Sequence, residues 1–371
     1  MTTPSSPIVA PNSDPFHMIK TAKIENFRCF RSARIDDCRA VNIILGKNAA
    51  GKTALLEALF LALGRGPEVA LRFRVWRGFE QNTVNTAPGD LDRPLWRDLF
   101  NDFDMSKTIK VSLTGTDIHA RSVEIKYDER QTFATTSTNP VPMFPSPISF
   151  KYTRPAVDKK QRRAEWTVKA QFIGNGFQFS GMEAVPVECS FYSATMNFTN
   201  AENVERYSKL SLRRDNDNLI KFISNEFSFI DGLEILTIHN VPTLHVTSPW
   251  YENKRPLGDI SMGVSKYVSI ILAILSMKDG VIIIDEIENG FYYDRFESIW
   301  SSIIGLAKER NVQIFATTHS LECLEALQRA STDMSDEITF IRAEIADGAV
   351  SLNQFHGSTT FDAMSAGRDP R

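Results

Sequence analysis

Gly46-Lys47-Asn48-Ala49-Ala50-Gly51-Lys52-Thr53 follows the apolar run Val41-Asn42-Ile43-Ile44-Leu45 and opens an apolar-rich segment from Ala54 to Leu63. The order is strand, glycine-rich loop, helix, with the G-x-x-x-x-G-K-[ST] spacing in the context that spacing requires. Glycines at both ends let the loop turn its backbone N–H groups toward one point. The helix N-terminus adds partial positive charge, so a polyphosphate is the expected occupant. Lys52 is expected to reach the β- and γ-phosphates and Thr53 to hold Mg²⁺.

A second stretch complements the first. Val281-Ile282-Ile283-Ile284 is a continuous β-branched run ending in Asp285-Glu286. Such a run suits a central parallel strand buried on both faces, and ligands of such sheets bind beyond the carboxyl ends of the strands. Asp285 is expected in the Mg²⁺ shell, and Glu286 beside the water that attacks the γ-phosphate, as a general base. Upstream, Ser261 reads as the N-cap of a helix, with Gly263 in its first turn. That helix start is a second candidate phosphate cradle. Downstream, Gln313-Ile314-Phe315-Ala316-Thr317 reads as a strand beside the first, and His319 follows its end.

Composition bounds the class. The chain has 371 residues, 42% of them hydrophobic and 23% charged, and a net charge of −3. One large domain with an insertion, or two domains, is expected, and no global basic charge points to nucleic acid. The spacing of Cys29, Cys38, Cys189 and Cys323 fits neither a zinc site nor a disulfide framework. A reduced cytoplasm is the expected setting. The longest apolar run, Tyr267 to Met277, falls short of the roughly 20 residues that span a bilayer, so no membrane partner is expected.

Residues 67–185 differ in texture. Thr108–Leu113, Ser122–Tyr127 and Trp166–Phe172 alternate like half-buried strands. Val69–Trp76 fits helix or strand. The run Lys159-Lys160-Gln161-Arg162-Arg163 reads as a solvated hairpin tip or as a contact for nucleic acid or a partner. Leu219–Ile223 belongs to a helix, and Leu233–Ile238 with Thr243–Val246 to a hairpin.

Taken in order, Asn26-Phe27-Arg28, the loop with Asn48, Ser261-x-Gly263, Asp285-Glu286 and His319 resemble an ABC-type ATPase head. That group includes the chromosome-maintenance (SMC) ATPases and the OLD-like AAA ATPases. The wording of Asp285–Gly290 and Phe315–Ser320 is nearest to the OLD-like branch. The chain departs from the pattern in places: Ile260 opens the Ser261 segment, Lys266 stands where arginine is common, and Phe291-Tyr292-Tyr293 stand where the family often has histidine.

The resemblance implies an α/β P-loop NTPase of ABC-ATPase head type, with a mixed sheet flanked by helices and a β-rich insertion. It implies ATP and Mg²⁺ as ligands. Nucleotide contacts are then expected from Arg28, from Gly46, Lys47, Asn48, Ala49, Ala50, Gly51, Lys52, Thr53 and Ala54, and from Ser261 and Gly263. Thr53 and Asp285 are the implied metal ligands. Lys52, Glu286 and His319 form the implied catalytic set, His319 as a switch histidine and Asn48 near the γ-phosphate. The implied assembly is a homodimer or higher homo-oligomer in which Ser261 and Gly263 of one subunit close on ATP held by another.

The expected organisation is a disordered tail over 1–17, an N-terminal ATPase lobe over 18–66, a β-rich insertion over 67–185, a C-terminal ATPase lobe over 186–345 and a tail over 346–371. The stretch after Ser320 is too short for the Toprim domain of full-length OLD nucleases, and there is no long heptad insertion of the SMC kind. Similar short ATPases act in two-component anti-phage systems beside a separate Toprim-like effector, as in PARIS. A nucleotide-gated switch acting on such an effector is therefore the expected role. A DNA-repair or recombination ATPase that contacts DNA directly is the alternative. A transporter motor fits least, because the glycine loop and Asp285 lie so far apart in the chain.

Overall fold

In the computed structural model, residues 18–77, 95–116, 119–128, 143–155, 163–173, 176–181, 187–194, 200–346 and 348–371 are described. The expected tail over 1–17 and the basic residues 159, 160 and 162 lie outside them.

The fold is α/β and is organised around two sheets. The central sheet has six strands in the order β16-β15-β3-β14-β13-β9. They are β3 (Val41–Leu45), β9 (Cys189–Tyr192), β13 (Val281–Ile284), β14 (Gln313–Thr317), β15 (Ile338–Ala346) and β16 (Ala349–His356). All its pairings are parallel except β15 with β16. The β-branched run therefore forms the buried parallel strand that its composition demands, β13, with every residue buried.

Side chains alternate across this sheet. Ile282 and Ile284 face one core with Ile43 and Ile314, whereas Val281 and Ile283 face the other with Ile44 and Phe315. The first core is closed by α5 (Met262–Ser276), α6 (Phe296–Arg310) and α7 (Leu321–Ala330), with α3 (Asn200–Arg213) and α4 (Asn216–Glu226) beside α5. The second is filled by α1 (Lys52–Leu63), followed by α2 (Glu68–Trp76). Every residue of α1 except Thr53 is buried, because sheets press on it from two sides.

The second sheet is antiparallel, in the order β2-β1-β4-β5-β6-β7-β8. Its strands are β1 (Ile19–Phe27), β2 (Phe30–Ile35), β4 (Ile109–Gly115), β5 (Arg121–Tyr127), β6 (Met143–Arg154), β7 (Ala164–Ile173) and β8 (Gly176–Ser180). The stretch expected as an insertion is β-rich but does not stand apart. It opens with α2, and β4 pairs directly with β1. Gln313 stitches the two sheets together. Its buried amide accepts from Ile19 N at 2.8 Å and donates to Ile19 O and Arg39 O, both at 2.8 Å. The expected hairpin is β10 (Gly232–Ile238) with β11 (Val241–Thr247), extended by β12 (Arg255–Pro256).

One expectation is corrected. Residues 346–371 are not a tail: they contain β16, paired along its length with β15, and α8 (Gly357–Ser365). The strand is an edge in which half of the residues are polar, among them Ser351, Asn353 and Gln354, and only Val350 and Leu352 pack on the core. Its hydrophobic alternation is therefore faint. Phe361 of α8 is 6% exposed and meets Phe340 edge-on, with ring centroids 5.4 Å apart.

Phe361→Ala is expected to cost about 3 kcal/mol of unfolding free energy, the usual scale for truncating a buried aromatic. Denaturant titration measures it; an unchanged midpoint means that α8 is not docked.

Candidate functional site

The site is built where β3, β13 and β14 end side by side. After β3 the chain turns through Gly46, Ala49 and Gly51, whose φ angles are 133°, 64° and 95°. A side chain at Gly46 would strike Ala343 O at 2.3 Å, and one at Gly51 would lie 2.8 Å from Cys29 Sγ. These two glycines are thus required both by backbone shape and by close packing. Ala50 is buried beneath the loop. Lys52 folds back over it: Nζ donates to Gly46 O at 2.7 Å and to Lys47 O at 3.2 Å. No side chain caps α1, and its first turn holds no acidic residue. Its N-terminal donors and partial positive charge are left facing the loop.

Asp285 stands at the end of β13. Its Oδ2 accepts from Thr53 Oγ1 at 2.8 Å and its Oδ1 from Thr317 Oγ1 at 2.6 Å. Burial raises its pKa above the usual carboxylate range, while the two hydroxyl hydrogen bonds oppose the rise. Thr317 Oγ1 also accepts from Glu286 N at 2.7 Å, so one hydroxyl fixes both members of the acidic pair.

Glu286 has a left-handed backbone, φ 47°. Its carboxylate accepts from Asn289 Nδ2, and its carbonyl accepts from Lys266 Nζ at 2.7 Å. Lys266 is only 6% exposed. Burial pulls its ammonium down to about 8, against the opposing pull of Glu288, Asp285 and Glu286.

Arg28 enters from the antiparallel sheet. Asn26, near the end of β1, and Arg28, in the turn that joins β1 to β2, have φ 55° and 49°. This turn is held by Asn26 Nδ2 donating to Thr108 O at 3.0 Å and Asn101 Nδ2 donating to Arg28 O at 2.7 Å. Arg28 Nε lies 2.5 Å from Glu57 Oε2, and its Nη1 lies 3.3 Å from Asp98 Oδ2. Arg77 also bonds Glu57, at 3.0 Å, and Arg74 bonds Asp98 at 2.5 Å. Burial raises the Glu57 pKa, with Arg28 and Arg77 opposing.

A cleft of about 450 Å³ brings together Arg28, Asn48, Ala49 and Gly51 with Lys52, Thr53 and Ala54, and with Asp285 and Glu286 across from them. Ser261, Gly263 and His319 do not line it. Ser261 caps α5, its Oγ accepting from Val264 N at 3.2 Å. A side chain at Gly263 would lie 2.2 Å from Gly290 O, so α5 begins tightly against the turn that follows Glu286. His319 lies past β14, with N and Nδ1 at 2.9 and 3.0 Å from Glu288 Oε1. Its carbonyl accepts from Arg371 Nη1 at 2.8 Å.

A model of the AAA domain matches residues 22–354. The chain belongs to the AAA domain family. It is similar to an ATP/GTP phosphatase of Helicobacter pylori, 22% identical over 334 residues that make up 84% of this chain and 88% of the relative. A shorter segment is similar to the DNA double-strand break repair Rad50 ATPase of Methanopyrus kandleri, 48% identical over 46 residues, 12% of this chain and 5% of the relative. Among solved structures it is similar to the Smc head domain with an extended coiled coil bound to the C-terminal domain of ScpA, from Pyrococcus furiosus. There the TM-score is 0.49 and the identity 9%, over 95% of this chain and 100% of that one.

Within this AAA domain the sequence reading missed Thr317, Glu57 and the acceptors of Lys266. Thr317 was legible as the strand residue two before His319, but nothing local distinguishes a hydroxyl that bonds a carboxylate on the next strand. Thr317→Val keeps the shape and deletes that hydroxyl. It is expected to cost about 1–3 kcal/mol, because Asp285 loses a donor and Glu286 N an acceptor in a buried place. Equal stability of the two proteins in urea would refute the bridging role.

Proposed function

We propose that this AAA domain binds ATP with Mg²⁺ and hydrolyses it, acting as an ABC-type molecular switch. The observation that carries the reading is the 2.8 Å hydrogen bond from Thr53 to Asp285 below the glycine loop, with Glu286 on the same cleft. Two hard oxygen donors at the loop are what Mg²⁺ takes from a protein, since it keeps waters and phosphate oxygens as its other ligands. Among the described residues no group of three or more His, Cys, Asp or Glu is arranged to hold a metal ion. When bound, the cation would offset charge on the phosphate oxygens.

The protein's own part is then specific. The loop amides and the α1 N-terminus bind phosphate. Lys52 leaves the Gly46 and Lys47 carbonyls for phosphate oxygens. Glu286 takes the proton of the water that attacks the γ-phosphorus, and the bond from that phosphorus to the β–γ bridging oxygen breaks. Lys52→Ala removes the point charge, and calorimetry is expected to show lost ATP affinity.

Glu286→Gln keeps the shape without the basicity. It is expected to bind ATP normally while turnover falls by about 10²–10⁴, the usual worth of a general base. Wild-type turnover in the variant would remove Glu286 from the chemistry and make Glu288 the next base to test.

The separation of Ser261 and Gly263 from the cleft favours completion of the site by a second copy. A Ser261→Arg protein mixed with a Lys52→Ala protein is then expected to regain part of the ATPase activity that each lacks alone. No recovery at any mixing ratio, with a rate per chain independent of concentration, would mean that each chain is complete.

Control of a separate effector in anti-phage defence rests on the sequence resemblance. The short similarity to a double-strand break repair ATPase favours direct DNA contact as the second reading. An effector that co-purifies supports the first; a salt-sensitive DNA complex of the isolated protein supports the second.

A further inference from the structure

Lys266 is a long cationic side chain with almost no access to water. It does not line the cleft. Its ammonium instead reaches from the first turns of α5 to two backbone carbonyls of the following turn, Glu286 O at 2.7 Å and Asn289 O at 3.2 Å. Those carbonyls bracket a segment whose first residue has an unfavourable left-handed backbone. Asn289, the second residue gripped, itself donates through Nδ2 to the Glu286 carboxylate. The face of Phe291 lies 5.8 Å from the same ammonium. A buried lysine spent on carbonyls does no solvation work, and a methionine of nearly similar length would pack α5 without the desolvation cost.

We infer that Lys266 is a positioning residue for Glu286: it clamps the turn 286–289 so that the carboxylate stays directed into the cleft, and it ties that turn to the helix that begins at Ser261 and Gly263. This rests on the reading of Glu286 as the base. The clamp acts through backbone atoms, so it governs where the carboxylate sits and leaves the loop that binds phosphate untouched. Misplacing a reacting group by about 1 Å costs about 10²-fold in rate.

The test is a series, Lys266→Arg, Lys266→Gln and Lys266→Met, each compared with wild type for ATP affinity by calorimetry and for kcat. The expected order of kcat is wild type, then arginine, glutamine and methionine, with methionine down about 10²-fold and ATP affinity within about threefold throughout. Arginine keeps a charged donor for both carbonyls and glutamine keeps one neutral donor, so glutamine decides the matter where methionine fails to fold. Wild-type kcat in either uncharged variant overturns the inference. So does a loss of ATP affinity that parallels the loss of kcat, because that marks a general structural role. A wild-type protein that binds ATP and never hydrolyses it overturns the proposed function instead, before any variant is compared.

Discussion

Everything at the site depends on one carboxylate shared between two hydroxyls. Asp285 joins α1 through Thr53 to β14 through Thr317, and Thr317 passes the restraint on to Glu286 N. The register makes this possible. Ile284 pairs with Ala316, which sets Asp285 level with Thr317, and Thr317 pairs with Ile44 just before the glycine loop. A slip of one residue in β14 would turn Thr317 to the other face and leave Asp285 with one donor. The largely apolar middle of the sheet therefore does more than fill the core. It fixes the height at which three polar strand ends meet.

The antiparallel sheet matters for the same reason. It brings one cation, Arg28, to the rim of the cleft, and a left-handed turn holds it there. That guanidinium is already balanced by Glu57 and Asp98, which in turn engage Arg77 and Arg74. Five charged groups thus share one partly buried patch beside the loop. Gln313 fastens β14 to β1, so this patch and Asp285 move as parts of one frame.

How much of this was legible follows from the range of each interaction. The loop 46–53 and the run Val281–Glu286 declare themselves because their chemistry is local: glycines where the backbone must turn, β-branched residues where both faces are buried. Their meeting was legible only as an expectation from the motif pair. Thr317 and Glu57 were not legible. Each earns its place through a partner on another element, Asp285 in one case and Arg28 in the other, and neither partner lies near it in the chain. β16 was missed for a different reason. Half of the residues of this edge strand are polar and only Val350 and Leu352 pack on the core, which reads as loop until its pairing with β15 is seen. The basic run 159–163 falls almost wholly outside the described residues, so its two readings stand as they did.

The charges around Asp285 make a final physical point about the proposed ligand. Asp285, Glu286 and Glu288 lie within one short stretch and look toward two lysines, Lys52 and Lys266. Both ammonium groups are turned onto backbone carbonyls, Lys52 onto the loop and Lys266 onto the turn beyond Glu286. Carboxylates thus outnumber ammonium groups here, and it is burial first, with a smaller push from Glu286, that drives the Asp285 pKa upward. A polyphosphate brought here alone adds like charge to two carboxylates on the cleft wall. The α1 N-terminus, worth about half an elementary charge, and one redirected lysine offset only part of it, since Arg28 on the same cleft is already paired with Glu57 and Asp98. A divalent cation arriving with the polyphosphate would offset it further, and the proposed function gives it the Thr53 and Asp285 oxygens as protein ligands. Under the proposed function, the hydrogen bond between Thr53 and Asp285 is the contact that a cation arriving with the phosphates would replace.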